Sequence, residues 1–151
     1  MLALLQRVTE AKVTVADESV AQIQTGLLAF IGVERGDEES QAERMLQRLL
    51  GYRIFADAED RMNLSLEQIQ GGLLLVPQFT LPADTRKGAR PSFSPAAPPE
   101  VGQALFEYLL GCAKTQYPNV QSGRFGAHMQ VALVNDGPVT FMLQVPPKPS
   151  S

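Results

Sequence analysis

The side chains best equipped for chemistry are scattered along this chain rather than clustered. His128 is the only histidine and Cys112 the only cysteine among 151 residues, so one chain cannot assemble a Cys/His metal site or an internal disulfide. A Ser-His-Asp arrangement would have to use His128, which stands beside Met129 at the start of a strand-like run, and no Gly-x-Ser-x-Gly elbow accompanies it. A structural or exposed histidine is the favoured reading. Glu38, Glu39 and Glu43 fall on the polar face of a predicted helix, which leaves paired-carboxylate catalysis without a located candidate. No glycine-rich phosphate loop of the Walker or dinucleotide type is present, and the sequence asks for no cofactor.

Three backbone-rich corners remain. The first is Pro77-Gln78-Phe79-Thr80, where an apolar run stops abruptly, and strand ends of this kind are where sites form. Thr80 offers a hydroxyl that could act as a nucleophile, but a threonine needs a base and none is in view; a hydroxyl bonding the local backbone is an equal alternative. The second is Asn135-Asp136-Gly137-Pro138-Val139-Thr140-Phe141, flanked by the apolar segments Met129–Val134 and Phe141–Val145. Asn and Asp bond their own backbone and Gly accepts positive φ, so a hairpin turn is the first expectation. Pro138 lacks a backbone donor and restricts Gly137, so a rigid Gly-Pro pair could instead present bare carbonyls to a ligand. The third is the loop from Pro82 to Phe93, with Arg86, Lys87 and Arg90 close together: a solvated loop, or a holder for a few phosphates.

The elements that must position these corners are read from periodicity. Leu2–Val8 and Lys12–Val15 suit two strands, Gly26–Val33 is apolar enough for a strand buried on both faces, and Gly72–Val76 is the clearest buried strand. Ala42, Met45, Leu46, Leu49 and Leu50 form one stripe of a helix, with Asp37 as its N-cap and Gly51 at its end. Tyr52–Phe55 suits a further short strand and Asp57–Arg61 a polar turn. Pro95, Pro98 and Pro99 introduce a second helix with the stripe Val101, Ala104, Leu105, Tyr108, Leu109 and Cys112, closed by Pro118; Cys112 is then inert core. Strands outnumber helices and do not alternate with them regularly, which predicts an α+β (mixed α/β) fold rather than a doubly wound one. The length suits one domain over residues 1–145, followed by a loose tail from Pro146 to Ser151.

The net charge of −3 excludes a general polyanion binder, so any nucleic-acid contact must be local. Met1–Arg7 lacks the basic-then-apolar order of a secretory signal, no run is long enough to span a membrane, and cysteine usage fits a reducing cytoplasm.

Gln6-Arg7-Val8, Gly51-Tyr52-Arg53-Ile54-Phe55, Gln78-Phe79-Thr80-Leu81, Arg90-Pro91-Ser92-Phe93, Gly123-Arg124-Phe125 and Asn135–Phe141, taken together and in this order, make the chain similar to the D-aminoacyl-tRNA deacylases, the family first named for D-tyrosyl-tRNA. The resemblance covers nearly the whole chain. It implies mainly antiparallel sheets in a partly open, barrel-like sandwich with two main helices on one side. It also implies a homodimer in which a cis Gly137-Pro138 pair reaches into the partner's pocket, reads the chiral centre with its carbonyls and excludes L-amino acids sterically. Arg7 would support that loop and Met129 would line the pocket. Gln78, Phe79 and Thr80 would form the catalytic corner, with Phe79 and Thr80 N–H groups stabilising the oxyanion and the terminal adenosine's 2′-hydroxyl assisting. The substrate would be the 3′ end of D-aminoacyl-tRNA, with Arg86, Lys87 and Arg90 near its phosphates. One departure stands out: Pro77 occupies the place of the family's usual serine, as in a related branch acting on L-alanyl-tRNA, but that branch differs after Gly-Pro, where this chain keeps Val139-Thr140-Phe141, so the D-specific reading is kept and relaxed specificity for glycyl- or L-alanyl-tRNA is the alternative. The competing expectation is a non-enzymatic dimeric RNA-binding module working through the basic loop.

Overall fold

The computed structural model describes residues 1–149, so Ser150 and Ser151 of the expected tail lie outside the described residues. The fold is built around β1 (Leu2–Val15), which is paired along both edges. On one edge lie β2 (Glu18–Ile23) and β3 (Gly26–Gly32), which share a single antiparallel register running from Leu2↔Gly32 to Ala11↔Ile23. On the other lies β8 (Gln130–Gln144), antiparallel from Leu2↔Gln144 to Thr14↔Gln130. The sheet continues in parallel from β3 to β6 (Gly72–Pro77) and from β6 to β7 (Val120–Ser122). It curls until β2 meets β7, where the amide Oε1 of Gln121 accepts the N–H of Gln22 at 2.8 Å. The result is the expected α+β class, a nearly closed mixed sheet with helices against one face.

Three helices complete it among the described residues: α1 (Glu39–Gly51), the single turn α2 (Leu66–Ile69) and α3 (Pro99–Gln116). A small hairpin, β4 (Phe55–Ala56) and β5 (Met62–Leu64), lies between α1 and α2. One core fills the space between helices and sheet, with Met1, Ala3 and Leu5 of the N-terminal segment meeting Met45, Leu49, Phe106 and Leu109. A second fills the curl itself, from Val8, Ala11 and Val13 to Ile23, Leu28, Leu74 and Val76. Burial of this kind removes apolar surface on both sides of the sheet and holds the curl closed.

Several sequence expectations are corrected. Leu2–Val8 and Lys12–Val15 are one strand; the apolar alternation changes phase at exposed Thr9 and Glu10, where the pairing with β8 shifts register, and that break looks like a loop in sequence. The Asn135 turn is no hairpin: both flanking segments pair with the same strand, as halves of β8. Asp37 is not the N-cap of α1. Its buried carboxylate accepts from the Met1 ammonium at 2.8 Å and from the Glu34 N–H at 2.7 Å, while Glu38 caps the helix and its N–H is taken by Gln41 Oε1 at 2.7 Å. Only Phe55 of Tyr52–Phe55 is in a strand. The inward face of α3 is Gly102, Leu105, Phe106, Leu109 and Ala113, whereas Val101 and Ala104 are exposed and Cys112 is half-buried at the core's edge. The one-turn helix α2 was not among the expected elements; its start is held by Ser65-x-x-Gln68, a reciprocal capping box in which Ser65 N–H reaches Gln68 Oε1 at 2.8 Å and Gln68 N–H reaches Ser65 Oγ at 3.2 Å.

Candidate active site

Where β6 ends, parallel pairing with β3 carries the chain as far as Pro77, and the Gln78 N–H still reaches the Ile31 carbonyl at 2.8 Å. The chain then turns, with the Leu81 N–H on the Gln78 carbonyl. Between these two anchors the N–H groups of Phe79 and Thr80 have no acceptor among the described residues. Two adjacent uncommitted donors at a strand end are the arrangement that binds an oxyanion or other negative charge. The Thr80 hydroxyl is occupied differently, accepting from Gln78 Nε2 at 2.6 Å, and among the described residues it has no hydrogen bond to a carboxylate or a histidine.

This corner opens on a cavity of about 430 Å³ whose walls include Val76, Gln78, Phe79, Phe125, Met129 and Val131. Most of that lining is apolar, which suits a small organic group. Met129 packs over Gly123: a Cβ at that glycine would lie 2.7 Å from the Met129 sulfur and would push the side chain aside. Of the lining, sequence reasoning named Gln78, Phe79 and Met129 as site residues and missed the rest, His128, Phe125 and Ala127 among them. His128, expected to be structural or exposed, is exposed at the cavity's edge. Its position beside Met129 was the only available signal.

The second set of expected residues gathers elsewhere. The register of β8 on β1 runs through Gln6↔Thr140 and then Val8↔Asn135, so Asp136, Gly137, Pro138 and Val139 are extruded opposite Arg7. Arg7 holds this bulge from below: its Nε donates to the Asp136 carbonyl at 2.9 Å, its Nη1 to the Ile54 carbonyl at 2.8 Å, and Nε lies 3.6 Å from the Asp136 carboxylate. Asn135 closes it from within, accepting the Val139 N–H at 2.7 Å and donating to the Val139 carbonyl at 3.2 Å and the Thr140 hydroxyl at 3.1 Å. Gly137 has φ +150 and precedes a cis peptide to Pro138; a Cβ there would stand 2.6 Å from Val139 Cγ2. Gly137 and Pro138 are both exposed. Roughly 20 Å of extended β1 separate the bulge from the Met129 end of β8, so one protomer does not bring its own Gly-Pro pair to its own cavity.

The third set forms the loop closed by paired backbone bonds between Asp84 and Ser92, at 2.8 and 2.9 Å. Arg86 is held by Asp84 in a two-pronged contact at 2.9 Å on each oxygen, and this hydrogen bonding from the guanidinium holds the Asp84 carboxyl down at about 2. Lys87 and Arg90 are exposed and make no salt bridge among the described residues.

With this geometry in place, comparison with known proteins is specific. The family model for D-Tyr-tRNA(Tyr) deacylase matches residues 4–144. A D-aminoacyl-tRNA deacylase of Nitrosococcus oceani is 63% identical over 147 residues, covering 97% of this chain and 95% of that relative, and one of Azotobacter vinelandii is 65% identical over 144 residues, covering 95% and 99%. Among solved structures, a c-Myc DNA unwinding element binding protein superposes with a TM-score of 0.92 at 36% identity, covering 97% of this chain and 99% of that one. A probable eukaryotic D-amino acid tRNA deacylase shares the fold, with a TM-score of 0.83 at 20% identity and coverage of 95% and 98%. The chain belongs to the D-aminoacyl-tRNA deacylase family.

Proposed function

We propose that the protein hydrolyses the ester of D-aminoacyl-tRNA, releasing the free D-amino acid and tRNA, with the cavity of one protomer completed by the Gly137-Pro138 bulge of a second. Family membership supplies the reaction class, a hydrolase of D-aminoacyl-tRNA. The observation that carries the site assignment is the pair of uncommitted N–H groups at Phe79 and Thr80 beside the cavity. An aminoacyl ester of ribose is already activated, so stabilising the tetrahedral oxyanion and positioning water are sufficient catalysis. The neighbouring 2′-hydroxyl of the terminal adenosine assists, passing a proton where the protein offers no base. Gln78 orients Thr80 and fixes the turn that aims both N–H groups, and Met129 shapes the wall against the aminoacyl group.

Chirality is read by backbone. Gly137 and Pro138 carry no side chain that could prefer one amino acid, so a rigid pair of carbonyls discriminates at the α-carbon and leaves the substrate side chain largely unread. Arg7 and Asn135 supply the rigidity. A second copy is required because the bulge lies too far from its own cavity, and exposed Val134 and Met142 on the same strand offer apolar surface for it. Arg86, Lys87 and Arg90 lie near the phosphates of the acceptor end, with Lys87 and Arg90 carrying the charge that Asp84 does not already match.

The catalytic part is tested with tRNA ending in 2′-deoxyadenosine and charged at the 3′ position with a D-amino acid. Release slowed by orders of magnitude relative to the ribose ester is expected; undiminished release would remove the 2′-hydroxyl from the mechanism.

A further inference from the structure

At the outer rim of the cavity two aromatic rings stand in water. Phe79 is 62% exposed and Phe93 43% exposed, and their centroids lie 5.4 Å apart with planes tilted by 45°. Isolated exposed apolar residues need no explanation, but two large rings in contact beside a cavity mark a contact surface. Phe79 belongs to the cavity wall, whereas Phe93 lies beyond it, next to Ser92 where the basic loop closes. The cavity, Phe79 and Phe93 are therefore in contact in that order, and Phe93 adjoins the Asp84–Ser92 closure of the loop that carries the unmatched charges of Lys87 and Arg90.

Aromatic faces alternating with cations are what a single-stranded nucleic acid end requires: bases stack on the rings and phosphates meet the charges, with little sequence preference because every base has a π face. We infer that Phe93, together with Phe79, is the stacking platform for the nucleobase immediately 5′ of the esterified terminal nucleoside, with Lys87 and Arg90 at the phosphates that follow. The inference rests on the cavity being the site of the esterified nucleoside, and it makes Phe93 a binding residue that distinguishes a polynucleotide ester from the ester of a lone nucleoside.

Two minimal substrates separate this role from catalysis: 3′-O-D-tyrosyl-adenosine and the same ester on the dinucleotide cytidylyl-adenosine. The wild-type protein is expected to favour the dinucleotide in kcat/KM by about tenfold or more, the range that one stacked base supplies. Phe93→Ala should abolish that preference while leaving hydrolysis of the adenosine ester unchanged, and Phe93→Tyr should keep it. An equal loss on both esters, or no loss on either, would overturn the inference. So would a fall in the sedimenting mass of Phe93→Ala, because the pair would then belong to a contact between copies. Failure of the wild-type protein to release D-tyrosine from either ester would be a different result, overturning the deacylase reading and this inference with it.

Discussion

Asn135 and Arg7 decide how the Gly-Pro pair is presented. The amide of Asn135 makes three hydrogen bonds across the base of the bulge, and each is lost in Asn135→Ala, leaving the Val139 N–H and carbonyl without their partner. A stability loss of about 1–3 kcal/mol is expected from an unsatisfied backbone group of this kind, measured by denaturant unfolding, together with a reduced ratio of D- to L-ester hydrolysis. Asn135→Asp keeps the acceptor for the Val139 N–H and should fall between the two. A full stability loss with an unchanged D/L ratio would separate the clamp from chirality. The residues of the bulge were legible as local backbone chemistry, since Asn, Gly and Pro announce an unusual chain path. Whether that path reversed the strand or bulged out of it was not, because turns and bulges use the same residues and the choice is made by β1, distant in sequence and long enough to pair with both flanks.

At the scale of the element, the loop from Asp84 to Ser92 owes part of its shape to the pairing of Asp84 with Arg86. The carboxyl is held below its unfolded value of 3.8 to about 2, so its contribution is fully present above 3.8 and is lost as pH falls through about 2. The chemical shift of the Arg86 Nε–H should therefore follow a transition centred near pH 2, absent in Asp84→Asn. A transition centred at 3.8 would mean that the pair does not form in solution. Elements with one uniform environment were the readable ones: β3 and β6 are buried on both faces, and α1 carries a clean apolar stripe. Those with mixed environments were not. In α3 the expected Leu105 and Leu109 face inward, joined by Phe106, Gly102 and Ala113, and two of these three are too small to register as a stripe. In β1 the phase changes as the strand passes from the core under the helices to the core inside the curl. Asp37 read as a cap because capping and ion pairing use the same carboxylate, and only the arrival of the Met1 ammonium distinguishes them.

At the scale of the molecule, the cavity lies at one end of β8 and the Gly-Pro bulge farther along the same strand, and the proposed function joins the two through a second copy. The sequence carries both motifs but not the distance between them, so a working site was legible only as a family resemblance. The arrangement is tested by mixing two defective chains, one carrying Pro138→Ala with an intact cavity, the other an intact bulge with the cavity filled by Ala127→Trp. The first alone should hydrolyse D- and L-esters with little discrimination, and mixing in the second should restore D-selectivity to the shared sites. Discrimination unchanged by mixing would mean that each bulge serves its own protomer.

The most direct measurement is amino acid release from matched D-tyrosyl-tRNA and L-tyrosyl-tRNA by the purified protein, against a control without protein. Rapid release from the D ester, with the L ester as stable as in the control, is the expected result. Equal release from both would contradict chiral selection and point to a filter relaxed at the Pro77 corner; release from neither would contradict the deacylase account and leave a nucleic-acid-binding module in its place.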